Sequence, residues 1–348
     1  MRAFRVDLKK TSGKSLEVAA TVLRAGGIVA FPTETVYGLC VDAGNPKAVE
    51  KLYDLKGREG AKACAHLVGS RRDAEELVSG LPAPAARLAD AFWPGPLTLV
   101  VPDPEGVTVG LRYSSVPLAR ALARTFGGPL LQTSANRSGH PAALNASGVL
   151  LALPRGVDLV LDAGRVPGGE ASTVVLCDEY RFEVLREGAI PTEDVERVAR
   201  ERILVVCTGN ICRSPIAEEM LRVMLDERAP GAFEISSCGT HGWDDAPAAP
   251  EAEKAARAAG YDITAHRGRA SDPEMLGSAH RVYVMARHHL DALRDYFQDR
   301  PDALQLFDPG GDDVEDPYQK SKRVFRQVTE RIEELARLRA TELVPDVA

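Results

Sequence analysis

The stretch that decides the fold of the C-terminal half is VVCTGNICRSP, residues 205–215. It combines the end of an apolar strand, a short loop between Cys207 and Arg213, and a helix start at which Pro215 suits the first position. Such a loop turns backbone N–H groups inward, and the helix N-terminus adds partial positive charge, so the pattern indicates an anion-binding site. The same field favours the thiolate of Cys207, and the planar fork of Arg213 can bind two phosphate oxygens.

The segments that follow this loop predict a small doubly wound parallel sheet, in which ligands bind at the carboxyl ends of the strands. A long helix begins near Ser321 and repeats apolar residues at spacings of three and four, so it should cover one face of the sheet. The predicted strands are 202–206, 233–236 and 280–285, and the predicted helices include 214–226 and 250–259.

The first half of the chain alternates apolar strand-length segments with helical segments, which predicts an α/β domain. Strands are predicted at IVAF, TLVVP, DLVLD and STVVL, beginning at residues 28, 98, 158 and 172. One helix should be capped by Asn45, start at Pro46 and end at Gly57 in a left-handed turn. A polar helix then runs directly into the strand at 202, which predicts two domains, residues 1–195 and 201–348.

The composition agrees with two domains, because 348 residues exceed one ordinary core. No apolar run approaches the ~18 residues that a membrane span needs, and the first residues do not resemble a secretion signal. The six cysteines are scattered, so we expect reduced thiols in the cytoplasm. A net charge of −7 argues against a DNA-binding protein or a general nucleic-acid binder, although it allows a small basic pocket.

Phosphoryl transfer to sulfur also needs an acid that protonates the leaving oxygen, and Asp316 in DVEDPYQKS is the candidate. Together with the cysteine loop, with SCGTHGW and with HRVYVM, this segment resembles the low-molecular-weight protein tyrosine phosphatase family over residues 203–340. The resemblance implies a four-stranded parallel sheet, a phosphotyrosine protein substrate and no metal or cofactor. It also implies Cys207 as the nucleophile, Arg213 as the phosphoryl-binding residue, Asp316 as the general acid and later base, and Trp243 at the mouth of the pocket. From their own positions in the sequence, Asn210 and Ser214 are suited to hold the shape of the loop, and Tyr318 is suited to line the pocket.

Two neighbouring residues of the loop bear on alternative functions. Arginine-phosphatase members of the family resemble this loop but carry Thr where this chain has Ile211, so we expect phosphotyrosine rather than phosphoarginine as the substrate. Arsenate reductases that resemble the family need two further cysteines, and none follows Cys238. Cys212 could form a protective disulfide with Cys207 or could simply be a small packed residue, and both interpretations remain open.

Seven segments of the first half are weak signals alone and specific together. In order they are GGIVAFPTETVYGL, KGR, FWPGPLTLV, VGLR, TSANRSG, STVV and LREG, between residues 26 and 188. They resemble the YrdC-like threonylcarbamoyl-AMP synthase family over about residues 8–195. The resemblance implies a twisted mixed-sheet α/β domain that uses threonine, bicarbonate and ATP with Mg²⁺. It further implies delivery of the product to the machinery that transfers threonylcarbamoyl groups to tRNA.

The resemblance also assigns site residues. Positive charge for phosphate and carboxylate would come from Lys56, Arg58 and Arg186. Hydrogen bonds to the nucleotide would come from Ser134 and Asn136, and further contacts to ATP from Lys62 and Thr108. Threonine would be contacted by Thr35, Arg112 and Ser172. The chain departs from the family pattern at Glu59, Ala63, Cys64 and Ala142. Two alternatives to a bifunctional enzyme therefore stay open: a noncatalytic nucleotide-binding or RNA-binding module attached to a phosphatase, and a redox sensor built on Cys207 and Cys212.

Overall fold

The computed structural model of the protein describes residues 2–5, 13–57 and 64–345. The chain divides into two compact units, Met1–Ala199 and Arg200–Ala348. Each unit contains its own sheet and its own hydrophobic core. The predicted site residues Arg58 and Lys62, together with Glu59 and Ala63, lie outside the described residues.

The N-terminal unit is built on one sheet of ten strands. In chain order they are β1 (Arg2–Arg5), β2 (Val29–Pro32), β3 (Tyr37–Asp42), β4 (Ala65–Leu67), β5 (Leu97–Pro102), β6 (Thr108–Arg112), β7 (Leu130–Ser134), β8 (Leu159–Asp162), β9 (Thr173–Cys177) and β10 (Phe182–Arg186). They lie side by side in the order β1-β8-β2-β3-β7-β4-β6-β5-β9-β10. The pairs β1–β8, β2–β8, β4–β6 and β5–β9 are parallel and the others antiparallel, so the predicted mixed sheet is confirmed.

Seven described helices cover this sheet: α1 (Gly13–Arg24), α2 (Pro46–Lys56), α3 (Arg71–Val78), α4 (Ala83–Phe92), α5 (Pro117–Phe126), α6 (Ala146–Ala152) and α7 (Thr192–Ala199). Successive residues of β2 pack on opposite faces, as the period of a strand requires. Ala30 belongs to the cluster formed with α2 and α6, whereas Val29 and Phe31 belong to the cluster formed with α1 and α5. Burial on both faces explains why β2 reads as a continuous apolar segment.

Helix α2 has the ends that the sequence predicts. The side chain of Asn45 accepts a hydrogen bond from the backbone N–H of Ala48, Pro46 is the first residue, and Gly57 is left-handed with φ 59°. Glycine adopts this left-handed conformation without strain because it has no β-carbon. The end of α2 at Gly57 therefore fixes the position of Lys56, the last residue of the helix.

The C-terminal unit contains a four-stranded, all-parallel sheet, which confirms the predicted fold. Its strands are β11 (Glu201–Cys207), β12 (Phe233–Gly239), β13 (Arg281–Val284) and β14 (Leu304–Leu306), in the order β12-β11-β13-β14. Its helices are α8 (Arg213–Arg228), α9 (Pro250–Ala258), α10 (Pro273–Ser278), α11 (Arg287–Leu293) and α12 (Lys322–Leu343). In α12 the predicted apolar positions are buried: Phe325, Val328, Ile332 and Leu335.

The order of these strands reverses at β11, because β12 lies on one side of it and β13 on the other. The carboxyl end of β11 is therefore the topological switch point, where ligands of doubly wound sheets bind. Cys207 is the last residue of this strand. Among the residues that the structure describes, no helix has the length and apolar character needed to cross a membrane.

Candidate active sites

The loop after β11 places hydrogen-bond donors around the sulfur of Cys207. The backbone N–H of Asn210 lies 3.3 Å from Cys207 Sγ, and Ser214 Oγ lies 3.0 Å from the same atom. Asn210 adopts the left-handed region with φ 55°, which turns its N–H toward the sulfur. Helix α8 begins at Arg213, so Pro215 is its third residue and not its first as predicted. Pro215 is still in the first turn, where a backbone N–H has no intrahelical acceptor.

The side chain of Asn210 holds the loop from behind. Its amide nitrogen lies 3.0 Å from Ser214 Oγ and 2.7 Å from Ser237 Oγ, and its oxygen accepts a 2.9 Å bond from the backbone N–H of Arg269. The residue is completely buried, so each of these bonds is shielded from water. Ser237 in turn donates to Glu218 at 2.5 Å. Because buried polar networks rigidify their surroundings when they are satisfied, this one fixes the shape of the loop.

Arg213 is buried under the loop and already has three partners, one of which is Thr208 Oγ1 at 3.4 Å from Nη2. Its Nη2 lies 2.5 Å from Asp316 Oδ2, and its Nη1 donates to the carbonyl of Val314 at 3.1 Å. The Nε atom is buried and has no hydrogen-bond partner among the described residues. At least one donor of the guanidinium fork is therefore left for an anion.

These side chains border one cavity of about 170 Å³. The rings of Trp243 and Tyr318 stand edge to face at its mouth, with centroids 5.8 Å apart. Asp316 reaches the cavity from a turn in which its Oδ1 accepts the backbone N–H of Tyr318 at 3.0 Å. The structure thus brings together most of the predicted residues, and the lining is Cys207, Thr208, Gly209, Ile211, Cys212, Arg213, His241, Trp243, Asp316 and Tyr318.

The second cysteine of the loop differs from the first in its surroundings. Cys212 is 4% exposed, and burial raises its pKa to about 12, with the charge of Cys207 acting in the same direction. Cys212 therefore remains a thiol at neutral pH. All six cysteines are free in the structure.

The N-terminal domain contains a larger cavity of about 390 Å³. Hydroxyl and amide side chains line much of it, and Arg112 and Arg186 add positive charge. Six predicted site residues border it: Thr35, Arg112, Ser134, Asn136, Ser172 and Arg186. The guanidinium of Arg186 donates to the carbonyl of Ser172 at 2.8 Å, and Ser172 Oγ lies 2.9 Å from Thr98 Oγ1.

Arg112 is the most buried cation of this cavity and is paired with a residue that the sequence analysis did not select. Its Nη2 lies 2.5 Å from Glu34 Oε1, while Ser114 donates to the other carboxylate oxygen. Burial lowers the pKa of Arg112 to about 10; Glu34 opposes this shift and Arg186 adds to it. The Nη1 atom is buried without a partner among the described residues. The only sequence signal for Glu34 was its position inside the FPTET segment.

Two further predicted residues are not among the lining residues of this cavity. Lys56 is 1% exposed and does not line the cavity, because its ammonium donates to the carbonyl of Ser134 at 2.6 Å and to Asn136 Oδ1 at 3.1 Å. Its charge is thus directed to the loop that carries these two residues. Thr108 is exposed at the start of β6 and is not part of the cavity lining.

Comparison with known proteins agrees with this division into two sites. The Sua5/YciO/YrdC family model, described as telomere recombination, matches residues 21–188. The model of the low molecular weight phosphotyrosine protein phosphatase matches residues 202–347. The chain belongs to the threonylcarbamoyl-AMP synthase family through its N-terminal domain, and its C-terminal domain is similar to the low-molecular-weight phosphatase family.

Individual relatives give the extent of the likeness. The threonylcarbamoyl-AMP synthase of Chromohalobacter salexigens is 39% identical over 178 residues, which are 48% of this chain and 94% of the relative. That of Pyrococcus abyssi is 35% identical over 195 residues, or 53% of this chain, and the match spans only 57% of its length. A solved structure of P. abyssi Sua5 is similar in fold, with a TM-score of 0.53 and 23% identity over 97% of this chain and 98% of that one.

Proposed function

We propose that the chain is a bifunctional enzyme. The C-terminal domain hydrolyses phosphotyrosine in proteins, and the N-terminal domain makes threonylcarbamoyl-AMP from threonine, bicarbonate and ATP. The observation that carries the first activity is the convergence of Cys207, Arg213 and Asp316 on one cavity at the carboxyl end of β11. A nucleophile, an anion clamp and a proton donor are the groups that phosphoryl transfer to sulfur requires.

The phosphatase reaction follows from these contacts in two steps. Cys207 Sγ attacks phosphorus while Asp316 gives a proton to the departing phenolic oxygen, which leaves a phosphocysteine. Asp316 then accepts a proton from water, whose oxygen attacks phosphorus and frees the sulfur. The 2.5 Å contact between Arg213 and Asp316 is compatible with this sequence, because bound phosphoryl oxygens would replace the carboxylate as the partner of Arg213.

Hydrolysis of p-nitrophenyl phosphate by the reduced full-length chain tests this activity. Cys207→Ser should abolish turnover while inorganic phosphate still binds, because the loop N–H groups and Arg213 remain. Full activity in this variant would exclude a covalent intermediate on Cys207. Turnover under reducing conditions would also argue against a redox sensor as the main role of the domain.

Phosphotyrosine is proposed over phosphoarginine because of one wall of the cavity. Ile211 is 7% exposed and borders the same space as Trp243 and Tyr318, so the walls are apolar and suit a phenyl ring. Ile211→Thr should raise the ratio of phosphoarginine to phosphotyrosine hydrolysis, and Ile211→Val is the matched control that keeps the wall apolar. An unchanged ratio would leave the choice of tyrosine without support.

The synthase activity is supported by the charge and shape of the larger cavity. The Nη1 of Arg112, which has no partner within the described part of the chain, and the exposed guanidinium of Arg186 can bind the carboxylate of threonine and the phosphates of ATP. Ser134 and Asn136, braced by Lys56, would hold the nucleotide. Thr35 and Ser172 would contact threonine, and Arg58, Lys62 and Thr108 remain proposed contributors to ATP binding.

Several further parts of the proposal concern partners. Mg²⁺ would arrive as part of Mg·ATP, since it takes oxygen ligands mainly from phosphates and water. Threonylcarbamoyl-AMP is an activated acyl adenylate, and its acceptor would be an adenosine of tRNA bound by a separate transferase. We place both reactions in the cytoplasm, where scattered cysteines such as those of this sequence stay reduced.

Pyrophosphate release tests the synthase. The full chain with Mg·ATP should release pyrophosphate only when both threonine and bicarbonate are present, and omission of either is the internal control. Binding of ATP without such release would identify the N-terminal domain as a noncatalytic nucleotide-binding module. The same assay on Cys207→Ser should give the wild-type rate, because the described lining of the larger cavity lies entirely before residue 200.

A further inference from the structure

A buried histidine lies behind the phosphatase loop without a role in the reaction described above. His289 is on α11 and is completely buried, and its Nε2 lies 2.9 Å from Thr208 Oγ1. Thr208 follows the nucleophile directly in the chain and borders the cavity. Burial of a polar ring costs free energy unless the ring is hydrogen-bonded. The Nδ1 atom of His289 is buried without a partner among the described residues, so the contact of Nε2 with Thr208 is the one that holds the ring.

The hydroxyl of Thr208 also touches the anion-binding arginine. Arg213 Nη2 lies 3.4 Å from Thr208 Oγ1, and the same nitrogen lies 2.5 Å from Asp316. Because a guanidinium only donates, the oxygen of Thr208 is the acceptor in this contact. The hydroxyl proton is then available to Nε2 of His289, which completes a chain of donors from Arg213 through Thr208 to His289.

The charge state of the His289 ring agrees with donation of the Thr208 hydroxyl proton to Nε2. Burial, followed by the charges of His288 and Arg213, lowers the pKa of His289 to about 3. The imidazole is therefore neutral at physiological pH, so one ring nitrogen can accept. A cationic ring would instead repel the guanidinium that has to bind phosphate.

We propose that His289 is a positioning residue of the phosphatase: it anchors the Thr208 hydroxyl, which in turn orients the Arg213 guanidinium toward the phosphoryl group. The inference rests on the proposed phosphatase function. It assigns to Thr208 a role that a purely apolar residue could not fill, since valine has the same shape but offers no acceptor to Arg213.

Paired substitutions in the full-length chain test the proposal. Thr208→Val and His289→Leu remove the two ends of the contact, whereas Thr208→Ser and His289→Gln keep a hydroxyl and a polar terminus. Asp291→Ala changes an exposed residue of the same helix and serves as the control. Two quantities are measured: kcat/KM for p-nitrophenyl phosphate, and the dissociation constant of inorganic phosphate by calorimetry.

The loss of one such hydrogen bond is expected to lower kcat/KM and weaken phosphate binding by about tenfold in Thr208→Val and His289→Leu. The two conservative variants should recover most of this loss. The double variant Thr208→Val/His289→Leu should be no worse than either single variant, because both remove the same contact. Losses that multiply in the double variant, or unchanged phosphate binding in Thr208→Val, would overturn the proposal.

Two controls separate the possible failures. If wild-type protein binds phosphate but does not hydrolyse the ester, the proposed phosphatase function fails, and the phosphate dissociation constants of the Thr208 pair still decide the positioning role. If His289→Leu does not fold, as judged by circular dichroism, Thr208→Val against Thr208→Ser carries the test. A tenfold difference between these two variants supports the role, and equal affinities contradict it.

Discussion

At the scale of single residues, Asp316 has two partners that its proposed roles require. Its Oδ2 pairs with Arg213, whereas its Oδ1 accepts the backbone N–H of Tyr318. The second contact fixes the turn, and the first holds the carboxyl group over the loop until a phosphoryl group arrives. The side chain of Asp316 is 47% exposed, so its carboxyl group can exchange a proton with water.

Asp316→Asn separates the acid role from simple binding. The amide keeps the size of the side chain but cannot give up a proton, so hydrolysis of phosphotyrosine should slow by roughly 10²-fold or more. Esters of acidic phenols, whose leaving groups need no proton, should be affected far less. The measurement is kcat for phosphotyrosine and for p-nitrophenyl phosphate in both proteins. An equal loss on the two esters would show that Asp316 serves another purpose.

The charge of His289 also makes a prediction about acid stability. Its pKa is lowered to about 3 in the folded protein by burial first, then by His288, Arg213 and His241, with Asp313 opposing. An unfolded histidine has a pKa near ~6.5. As pH falls below that value the unfolded chain binds a proton that the folded ring does not. The free energy of unfolding therefore decreases between about pH 6.5 and pH 3, by at most ~1.4 kcal/mol per pH unit from this group.

His289→Gln removes this titration. The stability of the variant relative to the wild type should improve steadily as pH is lowered from 7 to 5. His288→Gln removes only one of the causes of the lowered pKa, so it should improve in the same direction by a smaller amount. Proteolysis in urea, scored on peptides of the C-terminal domain, measures both. Parallel pH curves for His289→Gln and wild type would contradict a depressed pKa.

At the scale of elements, features formed by neighbouring residues of the chain could be predicted from the sequence, whereas contacts between residues far apart in the chain could not. The cysteine loop was predictable because strand, loop and helix follow one another within residues 205–215. The caps of α2 were predictable for the same reason. The strand β14 is three residues long, too short for its alternation to be seen. The contact of Thr208 with His289 joins residues 81 positions apart, which no local pattern encodes.

Distant packing also decides where two predicted residues of the synthase site lie. The resemblance predicted that Lys56 supplies charge for phosphate and carboxylate, and in the structure its ammonium donates to the carbonyl of Ser134. An ammonium that is removed from water must find such acceptors nearby. Thr108 was assigned from the resemblance alone, and its exposed position at the start of β6 could be seen only in the folded sheet.

Substitutions of Asn210, in the loop after β11, separate the effect of its backbone conformation from that of its side-chain hydrogen bonds. Asn210 combines φ 55° with side-chain bonds to Ser214 and Ser237. Asn210→Gly and Asn210→Ala lose the same bonds, but only alanine places a β-carbon in the left-handed region. Alanine should therefore lower the free energy of unfolding by about 1 kcal/mol more than glycine. Urea unfolding of both variants measures this difference, and equal stabilities would mean that the loop does not impose this backbone conformation.

At the scale of the whole molecule, the two sites are chemically distinct and separately built. The larger cavity, about 390 Å³, presents two arginines and many hydroxyl groups, whereas the smaller, about 170 Å³, presents a thiol beneath an aromatic mouth. Every described residue that lines the larger cavity comes before residue 200, and every one that lines the smaller comes after it. Each site also rests on a hydrophobic cluster of its own domain.

This separation predicts that the activities can be removed one at a time. Arg186→Ala deletes an exposed charge of the larger cavity and should lower pyrophosphate release about tenfold or more, since hydrogen bonds to charged groups carry roughly 1.5–3 kcal/mol. It should leave p-nitrophenyl phosphate hydrolysis within about twofold of wild type, as expected for sites that share no lining residue. Cys207→Ser should do the reverse. Both rates are measured on the same preparation of each full-length variant, with Arg181→Ala, another exposed arginine near the same hairpin, as the matched control. A fall of both activities in either variant would show that the domains are coupled and that the two reactions belong to one regulated unit.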